Sequence, residues 1–251
     1  MKDDICPVCM KKFSKHEHGN TFMEAPEPKF NDKIKLGVGL CFYKDLESLK
    51  RLMPTIAPHV DYIFAIDGRF SLLEGDDYSE QETINYVKSF PNVIYDSFIG
   101  MEHDKRQRYV NLAAQHGCDF LLITDSDEFV LPNADWSLFK ENAVKTSKAY
   151  PGENFFAVAM LYTPPDYEPA EYTSIPKLWA RPQECAYYKC HCFFTSQGYN
   201  IVRSSSLTPR VEGIKMAWSD DLRSTEYLKA VCAYQGRMLD YEIPIRKSIG
   251  K

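Results

Sequence analysis

Between Lys35 and Asp125 the chain alternates short apolar runs with longer stretches whose apolar residues fall three and four apart. The runs are KLGVGLCF (35–42), DYIFAID (61–67), NVIYDSFI (92–99) and DFLLITD (119–125). A run such as KLGVGLCF suits a strand buried on both faces, as in a parallel sheet. The stretches between the runs carry helix signals. Asp45 is placed to cap a helix with Leu46, Leu49, Leu52 and Met53, closed by Pro54 and Pro58. Ser79 with Glu82 forms a capping-box pattern that opens a helix to about Phe90. A third helix over 103–117 ends at Gly117. Three successive strand–helix units predict an α/β fold, a doubly wound, mostly parallel sheet flanked by helices. Such sheets bind ligands beyond the carboxyl ends of their strands. That edge receives Asp67 and the group from Asp125 to Glu128.

After Asp135 the regularity fades. The spacing predicts a helix near 135–148, a strand near 155–162, short strands near 177–181 and 187–195, and a helical tail over 221–236. Residues 1–33 differ from the rest, ending in the proline-bearing linker EAPEP (24–28). The expected organisation is therefore an N-terminal segment and linker (1–33) followed by one domain (34–251). Its first half, about 34–132, holds the predicted parallel sheet, and its second half, about 133–251, follows. A hydrophobic content of 44% in 251 residues is enough to bury the core of such a domain. The net charge of -5 argues against a dominant non-specific nucleic-acid surface. No run reaches the roughly 20 apolar residues of a membrane span, and MKDDICPVCMKKF lacks the apolar stretch of a signal peptide. A soluble, cytoplasmic protein is expected. In that compartment the cysteines are thiols or metal ligands rather than disulfides, with Cys41 and Cys118 packing as small hydrophobes.

The segment LLITDSDEFV carries the chemistry. Asp125 and Asp127 leave a buried strand together, so their carboxylates can converge at its end. A departing nucleoside diphosphate needs a hard divalent cation, and Mg2+ or Mn2+ is held by one or two carboxylates plus phosphate oxygens. The competing interpretation is a solvated acidic turn, against which stand the apolar strand before the pair and Phe129-Val-Leu-Pro132 after it.

With the charged turn FYKD (42–45), Asp67 at the end of the second strand, the basic pair Lys105 and Arg106, and DSDEF (125–129), the chain resembles family 2-like glycosyltransferases of the GT-A fold. The closest subset reads D-x-D-E-F. The resemblance covers about 35–195 and, more loosely, 210–240. It implies a GT-A-like sheet with the nucleotide half at 34–132 and the acceptor side at 133–251. It also implies a nucleotide-sugar donor, with Asp67 at the base and Lys105 and Arg106 near the nucleotide and its phosphates. Asp125 would lie toward ribose and metal, Asp127 would be the direct metal ligand, and Glu128 would orient a ligand or the acceptor. In KLWARPQECAYYKCH (177–191) it nominates His191 as metal-proximal. In MAWSDDLRSTEYLKAVCAY (216–234) the chain departs from the pattern, because Trp218 stands where a histidine is expected. Asp220 or Asp221 then supplies a carboxylate as metal ligand or general base, or else caps the helix that follows. Read without the resemblance, Asp67 is a turn residue before Gly68, Lys105 and Arg106 a solvated helix face, and His191 a core histidine.

Cys6-Pro-Val-Cys9 with His16 and His18 places four soft or borderline ligands within thirteen residues, the donor set of a structural Zn2+. The six residues between Cys9 and His16 are fewer than a usual finger has. Cys190 or Cys192 is an alternative source of a fourth ligand. The rivals are a flexible tail with unused cysteines and a redox CxxC, which no thioredoxin-like unit follows.

The expected activity is transfer of a sugar from a nucleotide-sugar donor to an acceptor hydroxyl with Mn2+ or Mg2+. The acceptor is a glycan, a lipid-linked sugar, a protein or a modified nucleic acid. The alternatives are a nucleotidyltransferase, whose Gly-rich phosphate loop is absent after Phe42, and an inactivated transferase domain serving as a zinc-containing binding module.

Overall fold

The computed structural model describes residues 28–30, 33–71, 74–162, 172–189, 192–195, 198–200 and 208–218. Its first part follows the predicted alternation: β1 (Leu36–Cys41), α1 (Leu46–Ile56), β2 (Tyr62–Asp67), α2 (Gln81–Lys88), β3 (Val93–Ser97), α3 (Glu102–Gln115) and β4 (Phe120–Asp125). There follow β5 (Glu128–Val130), α4 (Trp136–Ala149), β6 (Phe155–Tyr162), β7 (Tyr172–Ala180), β8 (Cys185–Lys189), β9 (Cys192–Thr195), β10 (Gly198–Asn200) and β11 (Arg210–Trp218).

The main sheet has the order β3-β2-β1-β4-β7-β6-β11-β5, and β8, β9 and β10 form a small antiparallel sheet. Strands β1 to β4 are parallel, as predicted from their apolar runs. Beyond β4 the sheet is mixed: β7 is antiparallel to both its neighbours, and β5 is antiparallel to β11. Strand β11 lies parallel to β6.

Alternation along β1 separates the two faces. Leu36, Val38 and Leu40 join one core with Leu49, Leu52, Met53 and Ile56 of α1, Val87 of α2 and Phe139 of α4. The opposite face belongs to α3, through Tyr109, Val110 and Ala113. Gly37 and Gly39 lie on that second face. A Cβ on Gly39 would stand 2.5 Å from the Tyr109 ring, so glycine there lets the ring lie flat on the sheet. Helices thus cover both faces, as the doubly wound prediction requires.

The connection from β4 to β5 sets the shape of the sheet. Four strand spacings separate these strands in the order, which in a flat sheet would be about 19 Å. Only Ser126 and Asp127 join them, and three peptide steps span at most about 11 Å. The sheet therefore curls until its β5 edge returns to the carboxyl end of β4. Contacts with α1 fix that edge: the Arg51 guanidinium lies 3.6 Å from the Phe129 ring centroid, and Val130 N–H donates to Thr55 at 3.4 Å.

Three local expectations are corrected. Helix α1 continues through Pro54 to Ile56, because its buried stripe Leu49, Leu52, Met53 and Ile56 runs past the exposed proline. Asp45 makes no side-chain cap to that helix; its Oδ2 accepts from the Ser126 hydroxyl instead. The Ser79 capping box does not form either. The Ser79 hydroxyl donates to Asp67 at 2.6 Å and accepts from Lys44 N–H at 2.8 Å, and α2 starts without a side-chain cap. By contrast, Asp135 does cap α4, accepting from Leu138 N–H at 2.9 Å. Strands β5, β10 and β11 lie outside the strands that the spacing predicts, and β7 begins at Tyr172 rather than Lys177.

Candidate functional site

The parallel register aligns the carboxyl ends of β1, β2 and β4. Cys41 pairs with Ile66 on one side and with Asp125 on the other, so Asp67 and Asp125 lie at the same edge with β1 between them. The curl then brings β5, β11 and β7 to the end of β4, and the Asp125–Glu128 turn is gripped from several elements at once.

Asp125 is the most exposed side chain of the turn's ion-pair cluster, at 34%, against 12% for Arg106 and 10% for Lys177. Its Oδ1 accepts from Arg106 Nη2 at 2.7 Å, and its Oδ2 lies 3.8 Å from Lys177 Nζ. Arg106 is itself held by Glu102, through Nε at 2.8 Å, and by the Tyr109 hydroxyl at 3.4 Å. The Tyr109 hydroxyl also meets that of Tyr187 at 2.7 Å. Asp127 is buried, and its Oδ2 accepts from the indole N–H of Trp218. The β5–β11 pairing explains this contact, since Trp218 stands opposite Glu128.

Glu128 is buried and doubly engaged. One oxygen accepts from Lys177 Nζ at 2.5 Å; the other accepts from Asp125 N–H at 2.9 Å and from the Thr124 hydroxyl at 3.1 Å. Burial pushes its pKa above the ordinary carboxylate range, against the pull of Lys177. Burial also works against a charged Lys177, but the carboxylates of Glu128 and Asp125 outweigh it and hold the ammonium above its usual pKa. Both oxygens of Glu128, expected to orient a ligand or the acceptor, are thus engaged within the turn and by Lys177.

Lys105 and Arg106, expected together near the phosphates, go to different places. Arg106 reaches the turn. Lys105 is fully buried, and its Nζ donates to the carbonyls of Phe42 at 2.8 Å and Gly68 at 2.5 Å, tying together the ends of β1 and β2. Burial lowers its pKa. Asp67 has no exposed surface. Its carboxylate accepts from the Ser79 hydroxyl and N–H and from the Tyr95 hydroxyl at 3.2 Å, and burial with Asp67 nearby pushes the Tyr95 phenol up to about 12. A base contact by Asp67 would require an oxygen now held by Ser79 or Tyr95.

His191, Asp220 and Asp221 lie outside the described residues, as do Cys6, Cys9, His16 and His18. Among the described residues no three His, Cys, Asp or Glu side chains converge as a metal site. The donor chemistry of the turn still fits Mg2+ or Mn2+, since these ions take one or two carboxylates and complete their shell with phosphate and water oxygens. Two cations face Asp125, whereas Asp127 is met by the indole N–H of Trp218. Sequence reasoning missed Lys177, Tyr109 and Tyr187. Lys177 had a signal, being the one charged residue in the otherwise apolar stretch IPKLWA (175–180).

No protein-family model matches the chain, and no curated protein does. Among solved structures it is similar to S. aureus TarS, at a TM-score of 0.38 and 13% identity over 55% of this chain and 23% of that one. It is also similar to residues 1–349 of TarS in complex with UDP, at 0.35 and 14% identity over 55% of this chain and 38% of that one. For the same TarS segment in complex with UDP-GlcNAc the values are 0.34 and 13%, over 55% and 37%. The matched part of this chain therefore spans between 23% and 38% of those structures.

Proposed function

We propose that the chain is a glycosyltransferase that moves a sugar from a nucleotide-sugar donor to an acceptor hydroxyl with a divalent cation. The observation that carries this is the Asp125–Asp127 turn, fixed at the carboxyl edge of a parallel sheet with Arg106 and Lys177 beside Asp125. Asp127 would be the direct ligand of Mg2+ or Mn2+, and Asp125 would face the ribose and the metal. When bound, the cation neutralises the charge that develops on the departing diphosphate. Arg106, locked by Glu102 and Tyr109, keeps Asp125 in one orientation and adds positive charge where phosphate oxygens would gather.

If the reaction inverts, a base must take the acceptor proton. Asp220 and Asp221 are proposed for this, because they follow Trp218 by two and three residues and the Trp218 indole already touches Asp127. His191 is proposed as a further metal-proximal residue. Cys6, Cys9, His16 and His18 are proposed to hold a structural Zn2+; elemental analysis that finds no zinc in the reduced protein would dismiss that site.

The test is a panel of nucleotide-sugars screened with Mn2+ for thermal stabilisation, followed by donor turnover. A ligand present at about 100 times its Kd should stabilise the protein by about 2.7 kcal/mol. If no nucleotide-sugar raises the melting temperature and none is consumed, the transferase assignment fails. Stabilisation without turnover would favour an inactivated transferase domain.

A further inference from the structure

We propose that Lys177 is a positioning residue for the metal-binding turn, acting through Glu128; the inference rests on the metal-dependent transfer proposed above. Lys177 lies on β7, next to β4 in the sheet, and the β4–β7 pairing runs from Phe120 opposite Ala180 to Leu122 opposite Leu178. Just past that pairing Lys177 Nζ meets Glu128 Oε1 at 2.5 Å. The other Glu128 oxygen holds Asp125 N–H at 2.9 Å and the Thr124 hydroxyl at 3.1 Å. One carboxylate thus links a lysine of the second half to the backbone where the turn leaves β4. Asp127 immediately precedes Glu128, so the same anchor fixes the direction in which Asp127 leaves the turn.

The pair differs from the chain's surface ion pairs in its surroundings. Lys145 and Glu141 are both more than half exposed, whereas Lys177 and Glu128 are buried. A buried ion pair contributes little net stability relative to apolar side chains of similar volume, but removing one partner strands the other charge. The consequence of this pair is therefore geometric: Glu128 is held in one place between Lys177, Asp125 N–H and the Thr124 hydroxyl, and the turn is formed before any cation arrives. Groups that hydrogen-bond to the carboxylates and backbone of a metal site tune its affinity from outside the ligand set.

The experiment is a Mn2+ titration of the full chain, with and without UDP, read from the EPR signal of free Mn2+. Wild type is compared with Lys177→Met and with the double variant Lys177→Met/Glu128→Gln, and circular dichroism checks the fold of each. Lys177→Met should bind Mn2+ about 10-fold to 100-fold more weakly. The double variant should recover most of that loss, because the substituted amide retains a carbonyl oxygen for Asp125 N–H and the Thr124 hydroxyl and leaves no buried charge to neutralise. Equal affinity of Lys177→Met and wild type overturns the inference alone. So does a folded double variant as weak as Lys177→Met, since the lysine would then act on Asp125 directly. If neither variant folds, the pair serves the fold and positioning is overturned. Wild type that binds no Mn2+ under either condition takes down the metal-dependent reading itself, and the inference with it.

Discussion

At Asp127 two demands meet on one carboxylate: it is the proposed direct metal ligand, and it accepts the indole N–H of Trp218. Asp127→Ala would remove the acceptor of that partly buried indole as well as the charge, so Asp127→Asn is the cleaner probe: it keeps an acceptor oxygen and removes only the charge. Donor turnover of Asp127→Asn in saturating Mn2+ should fall below about a tenth of wild type, with circular dichroism unchanged. Higher turnover would remove Asp127 from the ligand set. The cysteines offer a second residue-scale check. Burial pushes the Cys41 thiol up to about 11 and the Cys118 thiol up to about 12. The thiolate is the reactive form, so at pH 8 only on the order of one Cys41 in a thousand is ionised. Mass spectrometry after iodoacetamide treatment at pH 8 should find Cys41 and Cys118 unmodified in the native protein and alkylated in denaturant. Rapid native labelling of either would contradict their packing in the core beneath α3. The burial of both is legible from their apolar neighbours alone, whereas Lys177 stands in an apolar strand as an unexplained charge whose partner only the curl of the sheet reveals.

Among the elements, the four parallel strands were legible because each is a compact apolar run and each intervening helix has apolar residues at helical spacing. The caps were not legible. Ser79 and Asp45 have the right side chains at the right positions for N-caps, but the buried Asp67 takes the Ser79 hydroxyl, and Asp45 receives Ser126 across the site. Local capping loses to a buried carboxylate in need of donors. The same competition explains Lys105, which reads as one more basic residue on α3 and proves to be a clamp between strand ends. Replacing it by Met strips the carbonyls of Phe42 and Gly68 of that donor inside the protein. The expected loss is about 1–3 kcal/mol in urea unfolding, the usual cost of a buried polar group left without its partner. A Lys105→Met protein as stable as wild type would show that these carbonyls find other donors. Strands β5 and β11 escaped prediction for a related reason. Strand β5 is only three residues long, and β11 is irregular between Arg210 and Lys215. At the irregularity Gly213 adopts φ 125°, and a Cβ there would lie 2.4 Å from the Phe139 backbone nitrogen.

On the scale of the whole molecule, the expected division into a nucleotide half and an acceptor half meets a sheet that both halves share. Strand β4 pairs with β7, β5 pairs with β11, and one apolar core takes in Val38, Leu52 and Phe120 together with Phe139, Val158, Leu178 and Met216. An isolated 34–132 segment would expose the β7-facing edge of β4, leave β5 without β11 and open that core. The two halves should therefore unfold together. The chain makes this easy to test, because its three tryptophans, Trp136, Trp179 and Trp218, all fall after residue 132. Tryptophan fluorescence is emitted from the second half, from rings two of which touch His59 and Asp127 of the first, while far-ultraviolet circular dichroism averages the helices and strands of both. In urea the two signals should trace one transition with a common midpoint, the behaviour of a single cooperative unit. A fluorescence transition clearly ahead of the dichroism would mean that the second half opens by itself. The curl that carries Trp218 and Lys177 to the Asp125–Glu128 turn would then be a separable layer rather than part of the core. Loss of the Trp218 signal should in that case be accompanied by loss of Mn2+ binding while the parallel strands persist. Coincident transitions instead tie the integrity of the turn to that of the entire sheet.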